Sequence, residues 1–138
     1  LGGAGVIKPA RTRGGENEAG APRGLFRCVM METGERVWET PRPLLKADGS
    51  GRGPWPHAFT VHHEPSGYTL IFNDHGEMIS SILSPEGYRE VARTTIIEPT
   101  HTVAGRLLVW SHPALAGGRV YCRNDKEVRC WDLSGGGR

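Results

Sequence analysis

The chemistry this chain can do rests on six histidines, three cysteines and a scatter of carboxylates. His62-His63-Glu64 places three metal-ligating residues in a row. Adjacent side chains on a strand point to opposite faces, so the two imidazoles cannot readily share one ion. Asn73-Asp74-His75-Gly76-Glu77 has some of the character of a calcium loop. It lacks the spaced oxygen ligands and distal Glu of such loops, and reads instead as an Asx turn followed by Gly76. Ser111-His112 stands outside any G-x-S-x-G elbow, and the chain has no G-x-x-x-x-G-K-[ST] phosphate loop. Cys28, Cys122 and Cys130 are odd in number, so at least one thiol lies outside any intrachain pair. Cys122 and Cys130 fall on neighbouring strands, and the hairpin register decides whether they face each other or opposite sides.

The elements that position these groups are short. The 138 residues suit one ordinary domain. Twenty glycines and ten prolines, with 37% hydrophobic residues, favour many strands and turns over long helices. Seventeen basic and fifteen acidic groups leave a formal charge of +2, which is no signature of nucleic-acid or acidic-membrane binding. No apolar run approaches the roughly 20 residues that span a bilayer, and no signal peptide is readable at the start. Residues 1–23 hold Gly, Pro, Arg and Glu with almost no large apolar side chains. They are expected to be disordered or a linker.

From Gly24 onward, apolar runs alternate with turns: LFRCVMM then ETGE, HAFTVHH then EPSG, YTLIF then NDHGE, RVYC then RNDKE. No stretch keeps a helical apolar period over three turns. The expected fold is all-β, built of antiparallel hairpins. YTLIF and TTII are apolar or mixed on both faces, so their sheet needs cover on both sides.

Two units repeat. HAFTVHHEPSGYTLIFNDHGEMISSIL starts at His57 and HPALAGGRVYCRNDKEVRCWDL at His112. Asn73-Asp74 and Asn124-Asp125 correspond at an offset of 51, and Cys28 corresponds to Cys130 two periods away. A period near 50 with about four strands per period suits a propeller blade. Cys28, Met30, Gly34 and Trp38 stand at the spacings of a hallmark motif, as do Cys130, Asp132 and Gly136. In the middle unit Gly87 fits and Val91 stands in place of Trp. On these residues the chain, over about 24–134, resembles the PQQ-like (pyrrolo-quinoline quinone repeat) β-propeller family.

The resemblance implies four-stranded antiparallel blades: a blade end at 24–40 and blades at 57–97 and 109–134, within a partial propeller at 24–138. It implies blade-docking roles for Gly34, Trp38, Gly87 and Trp131. About two and a half blades cannot close a ring of roughly four to eight. The chain is therefore expected to be the C-terminal part of a larger propeller, or to associate in copies. In the resembled family the loop-rich face carries ligands. Loops 41–56 and 98–108 enter the innermost strands there, which makes His57, Glu98, His101 and His112 the candidate polar site. The implied function is a non-catalytic scaffold without cofactor, binding a protein or peptide or the missing blades. The rival reading is a fragment of a PQQ- and calcium-dependent quinoprotein dehydrogenase oxidising alcohols or sugars. A periplasmic or cell-surface location is implied by the resemblance alone.

Overall fold

The computed structural model describes residues 24–53 and 55–134, with the backbone of Lys8 and Pro9. These residues are all-β. Strands β1 (Lys8–Pro9), β2 (Phe26–Val29) and β3 (Arg36–Thr40) pair in chain order as one antiparallel sheet. Strands β4 (Ala58–His63), β5 (Tyr68–Asn73), β6 (Glu77–Ser84) and β7 (Gly87–Thr95) form a four-stranded meander. A hairpin of β8 (His101–Val103) and β9 (Arg106–Leu108) follows. Strands β10 (Ala114–Ala116), β11 (Arg119–Arg123) and β12 (Val128–Asp132) make the last sheet. Of the segment 1–23, Lys8 and Pro9 pair with Arg27 and Phe26. The rest of that segment's expected disorder lies outside the described residues. Segment 98–108, expected as loop, carries the β8–β9 hairpin, because His-Thr-Val and Arg-Leu-Leu flank an Ala104-Gly105 turn.

Apolar alternation explains the core. On the middle sheet Ile71 pairs with Ile79, and both pack with Phe26, Leu44 and Ala58 on the side of the first sheet. Phe72 pairs with Met78, and both pack with Ile96, Ile97, Val109, Val120 and Cys122 on the side of the last sheet. The middle sheet thus has an apolar core on each face. Full burial of each such side chain contributes on the order of 2 kcal/mol.

The hairpins repeat down to their irregularities. The β2–β3 register shifts between Cys28 and Val29, and the β6–β7 register shifts between Ser80 and Ser81. Each bulge leaves one residue of the second strand without a partner, Val37 in one and Val91 in the other. A bulge bends and twists a strand locally, so its recurrence shows that the two hairpins share one shape. Cys28 opposite Trp38 then matches Ser80 opposite Ala92. The residue at the Trp38 position in the middle sheet is therefore Ala92, and Val91 takes the place of Val37.

Trp38 and Trp131 reach in opposite directions. Trp38 is half-buried against the first apolar cluster, beside Tyr88, and its indole N–H donates to the Ser84 carbonyl at 2.8 Å. It bridges the first sheet forward onto the middle one. Trp131 donates to the Ile96 carbonyl at 2.9 Å and bridges the last sheet backward. Gly34 closes the β2–β3 turn with its N–H on the Met30 carbonyl at 2.9 Å, and Gly87 starts β7 after a two-residue turn.

The connection from β3 to β4 is held by a buried ionic network. Arg93 donates to Glu77 at 2.6 Å and to Glu90 at 2.8 Å, and to the carbonyls of Leu45 at 2.6 Å and Arg42 at 3.1 Å. The Arg93 side chain is 5% exposed. Its hydrogen bonds hold the Glu90 carboxyl below the usual carboxylate range. Removing one partner of such a pair strands a buried charge. Arg93→Met is expected to lower unfolding free energy by about 3 kcal/mol or more. Trp38→Ala is expected to cost about 3 kcal/mol. Chemical denaturation midpoints check both, and an unchanged midpoint for Trp38→Ala removes its docking role.

Candidate functional site

The site begins at the turn between β5 and β6. Asn73 Oδ1 accepts the N–H groups of His75 and Glu77, each at 3.1 Å, which makes the Asx turn. Gly76 sits at φ +78, and a Cβ there would lie 1.9 Å from the Ile97 carbonyl oxygen. The close approach lets the Gly76 carbonyl accept the Ile96 N–H at 2.9 Å. The Asp74 N–H donates to the His57 carbonyl at 3.2 Å, and the Asp74 carbonyl accepts the Val109 N–H at 2.8 Å. Three chain segments therefore converge on Asp74, whose side chain is fully buried.

Around that carboxylate stand three bases. Arg106 Nη2 donates to Asp74 Oδ2. His57 Nδ1 lies 3.4 Å from the same oxygen, and His75 Nε2 lies 3.7 Å from Oδ1. Gly51 and Gly53 pack against this group: a Cβ at 51 would lie 2.6 Å from the His75 ring, and one at 53 would lie 2.8 Å from Arg106. Asp74 Oδ1, Nε2 of both histidines, and Nε and Nη1 of Arg106 are buried without a hydrogen-bond partner among the described residues. Burial holds both imidazoles below their ordinary value of 6.5, against the pull of Asp74, and Arg106 adds to the lowering. Both rings are therefore neutral at neutral pH.

A row of rings runs from this cluster across the same face. His112 lies tilted by 40° against Phe59 with centroids 3.7 Å apart, and Phe59 meets His57 edge-on at 5.5 Å. Trp110 stands 6.0 Å from His57 and 6.0 Å from His101. Trp110 is exposed. Beside it opens a cavity of about 160 Å³, bounded by His101, Trp110, Ser111, Arg123 and Asp125 among others. His101 Nδ1 lies 3.0 Å from Asp125 Oδ2, and the Thr100 hydroxyl accepts the Asp125 N–H at 3.1 Å.

Three of the four expected site residues share the ring row. His57 joins the buried cluster, while His101 and His112 stand exposed at the two ends of the ring row. Glu98 is exposed and contributes its carbonyl, which accepts the Asn124 side-chain N–H at 2.9 Å. Asp74, Arg106, Trp110 and Asp125 were not foreseen as site residues. Asp74 was visible only as a turn residue, and Arg106 reaches it across 32 positions with no local signal. Trp110 ends the apolar run Leu107-Leu108-Val109, which was its one hint. His62 and His63 go to separate partners, Thr69 at 3.0 Å and Ser66 at 2.7 Å. Cys122 is buried, Cys130 is exposed and all three thiols are free. Comparison with family models, curated proteins and solved structures finds no match to this chain.

The depressed imidazoles fix the sign of a pH dependence. The unfolded chain takes up protons near pH 6.5 that the folded cluster resists, so stability holds above that value and falls below it. Asp74, Arg106, Glu77 and Lys46 are the charges that act on these rings. The thermal midpoint is expected to drop between about pH 7 and pH 5.5, and His75→Gln should flatten that slope. A midpoint that rises on acidification contradicts the burial of these rings.

Proposed function

We propose that the chain is a PQQ-like propeller segment acting as a non-catalytic binding scaffold for a protein or peptide. The supporting observation is the row His112, Phe59, His57, Trp110 and His101 beside the 160 Å³ cavity. Exposed aromatic surface with a few polar groups is what interfaces use as anchors. The face offers stacking area and hydrogen bonds. Its buried carboxylate is already engaged by Arg106, so it is not a free base. The periplasmic or cell-surface location belongs to the same proposal and rests on the resemblance.

The dehydrogenase reading needs residues that hold PQQ and calcium. Calcium takes about six to eight oxygen ligands. Asp74 is buried against a guanidinium, and no group of three or more His, Cys, Asp or Glu side chains among the described residues is placed to hold a metal ion. Among the described residues the Asp74 carboxylate is held by Arg106 rather than open to a calcium ion.

Peptides selected on the immobilised chain are expected to bind across Trp110. Trp110→Ala should weaken them by at least about tenfold, or about 1.4 kcal/mol, in a fluorescence-polarisation titration. Unchanged affinity would place binding elsewhere. Addition of PQQ and calcium should give neither a quinone absorption change nor dye reduction. Either signal would favour the dehydrogenase reading.

A further inference from the structure

Two straps of chain meet on the Asp74 turn. One is the entry to β4, which brings His57. The other is the β8–β9 hairpin with the residues after it, which brings the Arg106 side chain and the Val109 N–H. Each strap carries a left-handed residue that is not glycine, Trp55 at φ 52 and Ala104 at φ 49. They are the only non-glycine residues with positive φ among the described residues. Each stands two positions before the side chain that reaches Asp74. A residue with a Cβ keeps that conformation only where its surroundings impose it, and such strain gathers at segments that move.

One carboxylate grips both straps. Asp74 Oδ2 takes Arg106 and stands 3.4 Å from His57 Nδ1, and Asp74 Oδ1 stands 3.7 Å from His75 Nε2. While both rings are neutral, one anion faces one cation. Protonation of both rings sets three cations around that anion. Two further charges face His75, Lys46 from the β3–β4 connection and Glu77 from the turn itself. Glu77 is already engaged by Arg93 at 2.6 Å and by the Asn73 side chain at 2.8 Å. The other groups facing His57 are the uncharged carbonyls of Trp55 and Val109. Closure also leaves Asp74 Oδ1, Nε2 of both rings, and Nε and Nη1 of Arg106 without a partner among the described residues. Water that enters on release satisfies all of these groups.

We propose that the Asp74 cluster is an acid-operated latch. Protonation of His57 and His75 releases the β4 entry and the β8–β9 hairpin from the Asn73–Glu77 turn. The ring row comes apart with them, because His57 touches Phe59 and Trp110, and Trp110 directly follows Val109. The face then lets go of its ligand, a consequence that rests on the scaffold reading above, whereas the release itself does not. Burial disfavours the charged rings and release ends that burial, so acid favours the open form and neutral pH the closed one.

Amide hydrogen exchange of the free chain at about pH 7.5 and about pH 5.5 tests the release, each rate being divided by that of an unfolded peptide at the same pH. Protection of the Asp74 and Val109 amides is expected to fall at least about tenfold on acidification. Ile71 and Ile79, buried on the two central strands of the middle sheet, should stay protected. His75→Gln should shrink the fall. Peptides without titratable side chains that bind across Trp110 at the higher pH should lose at least about tenfold in affinity at the lower. Equal protection at both pH values overturns the latch, as does a fall that His75→Gln leaves at full size. Loss of Ile71 and Ile79 protection to the same level also overturns it, since that is unfolding of the whole sheet. Peptides that keep their affinity while the two amides open overturn its control of the face. If no peptide binds across Trp110 at either pH, the scaffold reading fails and the exchange result still decides the latch.

Discussion

Ile71 and Phe72 are neighbours on one strand, they point to opposite sides, and both are buried. That pair of facts constrains the whole molecule. A strand with apolar side chains on both faces must lie in a sheet covered on both sides. The first sheet and the Pro43–Leu45 stretch supply one cover, and the last sheet with Ile96, Ile97 and Val109 supplies the other. Trp38 and Trp131 each close one of these contacts with an indole N–H on a backbone carbonyl.

The cluster around Asp74 depends on that stacking. The turn at Asn73–Glu77 is local chemistry, but its burial is not. Asp74 goes under because residues 57, 97 and 109 are drawn over the turn by backbone hydrogen bonds and by the close approach that Gly76 permits. A buried carboxylate needs a partner, and Arg106 on the β8–β9 hairpin provides it. The same convergence sets His57 beside Trp110 and so continues the ring row outward. The ionic cluster and the aromatic face are two consequences of one packing arrangement.

The parts of this that could be read in the sequence are those with local causes. Asn73 and Gly76 announce a turn by residue type, and the apolar run at 70–72 announces burial on both faces. The spacing of Asn73-Asp74 and Asn124-Asp125 announces the repeat. Other features depend on register. Cys122 stands opposite Arg129 and Cys130 opposite Tyr121, so the two thiols lie on different faces of the last sheet. That follows from the length of the turn at residues 124–127, and residue types alone left both arrangements open. The Asp74–Arg106 pair was hidden because it joins a turn to a hairpin of three-residue strands, too short to show a period. The position of Trp38 in the repeat was displaced by one residue because the β6–β7 hairpin is longer beyond its bulge than the β2–β3 hairpin: Ser81 pairs with Glu90 where Val29 pairs with Arg36.

The packing of the middle sheet is tested most directly by nuclear Overhauser contacts from the side chains of Ile71 and Phe72. Ile71 is expected to show contacts to Phe26 and Ile79, and Phe72 to Val120 and Met78, with no residue of the first sheet seen from Phe72. Contacts from both side chains to one common set of residues, or none from either to a second sheet, would contradict a middle sheet covered on both faces.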